Sequence, residues 1–162
     1  MANALEAKKA KVAQIKELIT SAKSVVLVDY KGLTVAQDTE MRKDLRDAGV
    51  IYKVLKNTLT SRAFEELGVK GLENMLEGPT AVAFSQNDEV SAARVVRQSI
   101  EKFKKMAFKG GYMDGKVMTV EEVKALSYIP SREQLIANLL GVLTAPMRKL
   151  AIVLDQAAKQ KA

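Results

Sequence analysis

Four short runs rich in β-branched and aromatic residues, at 24–30, 50–55, 80–85 and 107–113, recur before Pro130, and helical spacing of apolar residues fills most of the gaps. A chain with this rhythm has to lay strands side by side and cover them with helices. The run at 24–30, Ser-Val-Val-Leu-Val-Asp-Tyr, lacks polar alternation and so predicts a strand buried on both faces. Lys31-Gly32 turns the chain. Thr34 with Gln37 three residues on is a capping box, and Gly49 is placed to end the helix before the second strand at 50–55. The stretch 24–55 therefore predicts a βαβ unit with a parallel pair and a right-handed crossover.

Before that unit, residues 5–22 form an amphipathic helix through Val12, Ile15, Leu18 and Ile19. After it, a helix at 58–67 stops at Gly68, and a turn-rich piece leads to Gly78-Pro79 and the third strand. A long helix at 88–106, with Ala93, Val96, Ile100 and Phe103 inward, enters the fourth strand. Asp114-Gly115 is a hairpin turn to a short return at 116–118, and Thr119 with Glu122 caps another helix. The expected fold class is α+β, a mixed β-sheet packed against helices, and a ferredoxin-like arrangement with extra helices would satisfy it.

Tyr128-Ile129-Pro130 reads as a domain boundary, which divides the chain into 1–130 and 131–162. Ser131 and Gln134 open the second part with their own capping box. In it Leu135, Ile136, Leu139, Leu140, Val142, Leu143, Met147, Leu150, Ile152, Val153 and Leu154 spread over more than one helical face. Such a segment needs a partner. Pro146 predicts a break or kink between pieces at 132–145 and 147–159. From periodicity alone, a tail folded back onto its own domain stays open.

With no cysteine there is no thiolate or disulfide chemistry, and with no histidine the commonest metal ligand and the usual neutral-pH base are missing. Neither an enzyme nor a cofactor or metal is expected. Glu65-Glu66 and Glu121-Glu122 diverge as helix neighbours, and Glu73 with Glu77 reads as a solvated face. No uninterrupted apolar run approaches the roughly 18 residues that span a bilayer, and the N-terminus has no signal-type core, so a cytoplasmic, membrane-free protein is expected.

The net charge of +7 is unevenly placed. Lys8, Lys9, Lys11, Lys16 and Lys23 crowd the first helix, and Arg94, Arg97, Lys102, Lys104, Lys105 and Lys109 make a second basic stretch. Lys109-Gly110-Gly111 lacks phosphate-loop spacing and reads as a strand irregularity or a close backbone approach. The densest polar cluster is Tyr52-Lys53-Val54-Leu55-Lys56-Asn57-Thr58, with Arg62 a turn further on. In a strand Lys53 stays at the surface while Val54 packs. Lys56, Asn57 and Thr58 fall where a helix N-terminus favours an anion, and Lys31-Gly32 should share that edge. Two readings stay open: a phosphate platform for nucleic acid, or an N-cap at Asn57 or Thr58 with solvated lysines. Tyr30 and Tyr52 could stack on bases or belong to the core.

Together, Asp29-Tyr-Lys-Gly-Leu-Thr34, Leu45-Arg-Asp-Ala-Gly-Val50, Tyr52-Lys-Val-Leu-Lys-Asn-Thr-Leu59 and Gly78-Pro-Thr80 resemble bacterial-type large-subunit ribosomal protein number ten, the stalk-base family. The resemblance runs end to end. It implies a first domain that docks on large-subunit ribosomal RNA beside a neighbouring ribosomal protein, with Lys31, Lys53, Lys56 and Arg62 facing RNA and Gly32, Asn57 and Thr58 shaping the backbone. Lys8 and Lys9 join that set as basic residues of the first helix. It also implies that 132–159 is a spine for dimers of the acidic stalk protein, which recruit GTP-bound translation factors, and two pieces around Pro146 suggest two dimers. The competing expectation is a free assembly or regulatory RNA-binding module whose tail self-associates.

Overall fold

A computed structural model describes residues 2–69, 71, 72, 75–86, 88–113 and 115–161. The chain divides into two compact units, Met1–Ile129 and Pro130–Ala162. Glu73 and Asp114, placed above on a helix face and in a hairpin turn, lie outside the described residues.

The first unit holds α1 (Ala2–Ser21), β1 (Ser24–Asp29), α2 (Val35–Asp47), β2 (Val50–Val54), α3 (Asn57–Glu66), β3 (Ala81–Ser85), α4 (Ser91–Phe103), β4 (Ala107–Met113), β5 (Lys116–Met118) and α5 (Val120–Ser127). The α+β class holds. Its five-stranded sheet runs β2-β3-β1-β4-β5, and every pairing is antiparallel. The expected hydrogen-bonded parallel pair of β1 and β2 is therefore corrected: they do run the same way, but β3 lies between them. In the same manner β1 lies between β3 and β4. The result is two interleaved split βαβ units, a ferredoxin-like arrangement to which α1, α3, β5 and α5 are added.

The uninterrupted apolar strands misled because such runs are typical of parallel sheets covered on both sides. Here helices cover both faces of an antiparallel sheet instead. Val26, Val28 and Ala83 pack on one face with Met41 and Leu45 of α2, Ala92, Ala93 and Val96 of α4 and Val123 of α5. Val25, Leu27, Val82 and Phe84 pack on the other with Val12, Ile15 and Ile19 of α1 and Ala63 and Phe64 of α3. The Phe64 and Tyr112 rings meet edge to face at 5.6 Å, a pairing worth about 1 kcal/mol beyond area burial.

Local signals set most of the element ends. The Thr34–Gln37 and Thr119–Glu122 capping boxes both form. Helix α4 is shorter than expected at both ends. Ser91 Oγ bonds Asp88 Oδ2 at 3.1 Å and Ser24 Oγ bonds the Glu89 carbonyl at 2.6 Å, which holds 88–90 as a connection. Lys104 ends the helix in a left-handed conformation with φ 52°. In β2, Val54 is 46% exposed rather than packed, at the last residue of an edge strand.

The second unit is one helix, α6 (Arg132–Lys161), opened by the reciprocal Ser131–Gln134 bonds at 3.4 Å. Pro146 lies inside it, and the helix is continuous through the position where a break or kink is expected. The missing amide leaves the Val142 carbonyl without its intrahelical donor, a local weakness of about 3 kcal/mol that length on either side absorbs. The apolar residues from Leu135 to Leu154 named above are 46–76% exposed.

Candidate nucleic-acid interface

One end of the sheet collects most of the basic positions singled out above. Val28 and Val54 both pair with Ala81, so β1 and β2 leave the sheet at the same end, about 10 Å apart across β3. The Lys31-Gly32 and Lys56-Asn57-Thr58 clusters thus share an edge, but the start of β3 separates them. Gly32 takes φ 87°, which suits glycine, and Lys31 is exposed.

Lys56, not Asn57 or Thr58, occupies the N-cap of α3, and its side chain makes no capping bond to the first-turn amides. Those amides and the positive end of the helix dipole are an anion-favouring arrangement. Asn57 acts elsewhere, since its Nδ2 donates to the Gly78 carbonyl at 2.8 Å, and Thr80 Oγ1 donates to the same oxygen at 3.3 Å. From the opposite side Lys109 Nζ donates to the carbonyls of Glu77 at 2.6 Å and Pro79 at 2.8 Å and to Thr80 Oγ1 at 2.9 Å. The Gly78-Pro79-Thr80 turn is therefore clamped between the two clusters.

Arg62 links this end to α1. With Asn57, Thr58, Ser61, Glu65 and Leu76 it lines a shallow cleft beside the start of α3. It also borders the groove between α1 and α3, where Lys8, Lys9 and Lys16 stand over Val12 and Leu59, and Glu66 lies 3.5 Å from Lys16. Sequence order alone could not have joined Lys8 and Lys9 to Arg62. Lys53 is exposed on edge strand β2, and alternation puts it on the α1 and α3 face with Ile51.

Of the two tyrosines, Tyr52 adds little. Tyr52 packs against the core under the Arg42 guanidinium, 5.0 Å from its ring centre, and Arg42 also pairs with Asp38 at 2.7 Å. Burial, and then the nearby Asp38 charge, push the Tyr52 phenol up to about 12. Tyr52 is thus a packed, neutral residue rather than a stacking platform.

The second basic stretch divides by what each side chain touches. Arg97 lies 3.3 Å from Glu101, Lys102 bonds Glu40 of α2, and Lys109 is the clamp just described. Lys109 is also the extra residue in a bulge, since Leu27 pairs with Gly110 and Val28 with Phe108. The irregularity expected from Lys109-Gly110-Gly111 is there. A Cβ at Gly111 would stand 3.0 Å from both the Val25 carbonyl oxygen and Val123 Cγ2.

Comparison with known proteins gives the class. Residues 3–101 match the family described as ribosomal protein L10, and residues 129–162 match the ribosomal protein uL10 C-terminal region. The chain is a large-subunit ribosomal protein, a structural constituent of the ribosome in the cytoplasm and not an enzyme. It is 48% identical over 161 residues to the large ribosomal subunit protein uL10 of Bacillus licheniformis, covering 99% of this chain and 97% of that one. The chain belongs to the uL10 family, of the bacterial type.

By length and composition alone, 132–159 is also apolar enough to cross a membrane. No uninterrupted apolar run announces this in the sequence, because Arg148 and Lys149 split the segment. Length and composition do not distinguish a span from a helix that protein partners cover.

Proposed function

We propose that this protein is the base of the ribosomal stalk, with its two units doing separate work. The first unit docks on large-subunit ribosomal RNA, beside a neighbouring ribosomal protein. It does so through Lys31, Lys53, Lys56 and Arg62, with Gly32, Asn57 and Thr58 shaping the backbone and Lys8 and Lys9 extending the surface along α1. The second unit, α6, carries dimers of the acidic stalk protein, two per chain, and these recruit GTP-bound translation factors.

The observation that carries this reading is the exposure of Leu135, Ile136, Leu139, Leu140, Val142, Leu143, Met147, Leu150, Ile152, Val153 and Leu154 along one helix. A helical partner can cover apolar residues from several sides, in the helix-in-groove manner. Support also comes from the match of this segment to a uL10 C-terminal region. Phosphate contacts at the sheet end would release counterions and make RNA affinity fall with salt.

Deleting 131–162 should abolish binding to acidic stalk dimers and leave RNA binding intact, and loss of RNA binding instead would overturn the division. Lys53→Ala and Lys56→Ala should weaken RNA binding and flatten its salt dependence. Native mass spectrometry of the chain with its acidic partner counts the dimers. A self-assembled chain that ignores the acidic protein would favour the free assembly module.

A further inference from the structure

Lys31 has two lysines beside it that come from the far end of α4. Ala107 pairs with Asp29, so Lys104, Lys105 and Met106 enter the sheet where Tyr30, Lys31 and Gly32 leave it. A Cβ built on Gly32 would lie 4.0 Å from Lys105 Cδ. Lys104 is, among the described residues, the one non-glycine with positive φ, a conformation that L residues adopt only at a cost. Its amide bonds the Ile100 carbonyl at 2.8 Å, so the helix stops there and the next two residues turn back toward β1.

These lysines differ from Arg97, Lys102 and Lys109 in having no ion-pair partner among the described residues. Arg97, Lys102 and Lys109 have carboxylate or carbonyl partners within the unit. Among the described residues no ion pair includes Lys31, Lys104 or Lys105, and all three are exposed. The Asp29 carboxylate at the same strand end accepts from the Lys31 amide at 2.9 Å and lies 4.0 Å from Lys109 Nζ, so it forms no ion pair with the three lysines. A polyanion relieves their mutual repulsion. In the sheet order the three stand on the β1 and β4 side of the clamped 78–80 turn, and Lys56 and Arg62 stand on the β2 side.

We propose that Lys104 and Lys105 join Lys31 in a second phosphate-contacting cluster on the RNA-facing edge, across the Gly78-Pro79-Thr80 turn from Lys56 and Arg62. This rests on the RNA-docking reading above and adds residues to it. Lys109, though it belongs to the same basic stretch, positions the turn between the clusters and contacts no phosphate.

The test measures affinity of the full chain for a large-subunit ribosomal RNA transcript over a salt series. Lys104→Ala with Lys105→Ala should weaken binding about tenfold or more at low salt and lower the log–log salt slope by about 1.4 to 1.8, as for two lost phosphate contacts. Lys105→Arg should keep the wild-type slope, as should Lys109→Met. If Lys56→Ala flattens the slope and the double variant does not, the second cluster is overturned and the RNA reading stands. If the wild-type chain fails to bind, or neither variant changes the slope, both are overturned. Should the double variant melt early, Lys105→Ala alone, which leaves the strained position intact, decides the matter with a slope change of about 0.7 to 0.9.

Discussion

Asn57 Nδ2 reaches the Gly78 carbonyl at 2.8 Å and ties the first turn of α3 to the loop that enters β3. An amide expected to shape an RNA contact is thus engaged in holding the shape of the edge itself. Asn57→Ala should lower stability by about 1 kcal/mol, as for one lost intramolecular hydrogen bond, measured by urea unfolding. It should weaken RNA binding without altering the salt slope, because no charge is removed. A flattened slope would mean that the role assigned to Asn57 is wrong.

The Tyr52 hydroxyl is buried and has no hydrogen-bond partner among the described residues. Tyr52→Phe keeps the ring under Arg42 and removes an unsatisfied polar atom, so stability should be unchanged or rise by about 1 kcal/mol. The native phenol is raised from its ordinary 10.0 to about 12, so the folded state holds this proton where the unfolded state has released it. Its contribution is whole below pH 10 and is lost as pH rises through 12. Alkaline unfolding curves should fall more steeply for the wild type than for Tyr52→Phe across that window, and parallel curves would contradict the assignment.

Gly111 sits where β4 passes both the Val25 carbonyl and Val123. Gly111→Ala should cost about 1 to 3 kcal/mol, since a Cβ at 3.0 Å from a backbone oxygen forces strands β1 and β4 apart. Thermal melting of the full chain measures it, and a wild-type midpoint would show that the pairing yields without penalty.

Signals that depend on neighbours in sequence were legible before the structure. The boxes at Thr34, Thr119 and Ser131, the ends of β4 and β5 and the inward residues Val12, Ile15 and Ile19 all read from local spacing. What local spacing cannot carry is pairing: β3 enters between β1 and β2 after both have passed, and nothing in 24–55 announces it. The same limit applied at the candidate interface. Lys56 and Asn57 could be found because they stand together in one motif. Lys105 beside Gly32, and Lys109 beneath Pro79, meet only through the β1 and β4 register.

Pro146 leaves the Val142 carbonyl without a donor in the middle of a helix that otherwise continues. Pro146→Ala should restore that bond and raise the helical stability of 132–161 by up to about 3 kcal/mol. Amide exchange around residues 142–150 should slow accordingly. Unchanged exchange would mean that the proline has no bearing on the order of α6.

The strand order bears on how the chain is made. β1 is the third strand in the sheet but the first to be synthesised, and its partners β3 and β4 come from 81–85 and 107–113. Strands β1 and β2 make no bond to each other, so a nascent chain ending before residue 81 has helices but no ladder to join. The central strand must then wait through a further crossover for its second neighbour, an assembly dominated by distant contacts and correspondingly slow. The first unit should therefore gain protease resistance in one late step, after residue 113 has emerged, and not by accretion from the N-terminus.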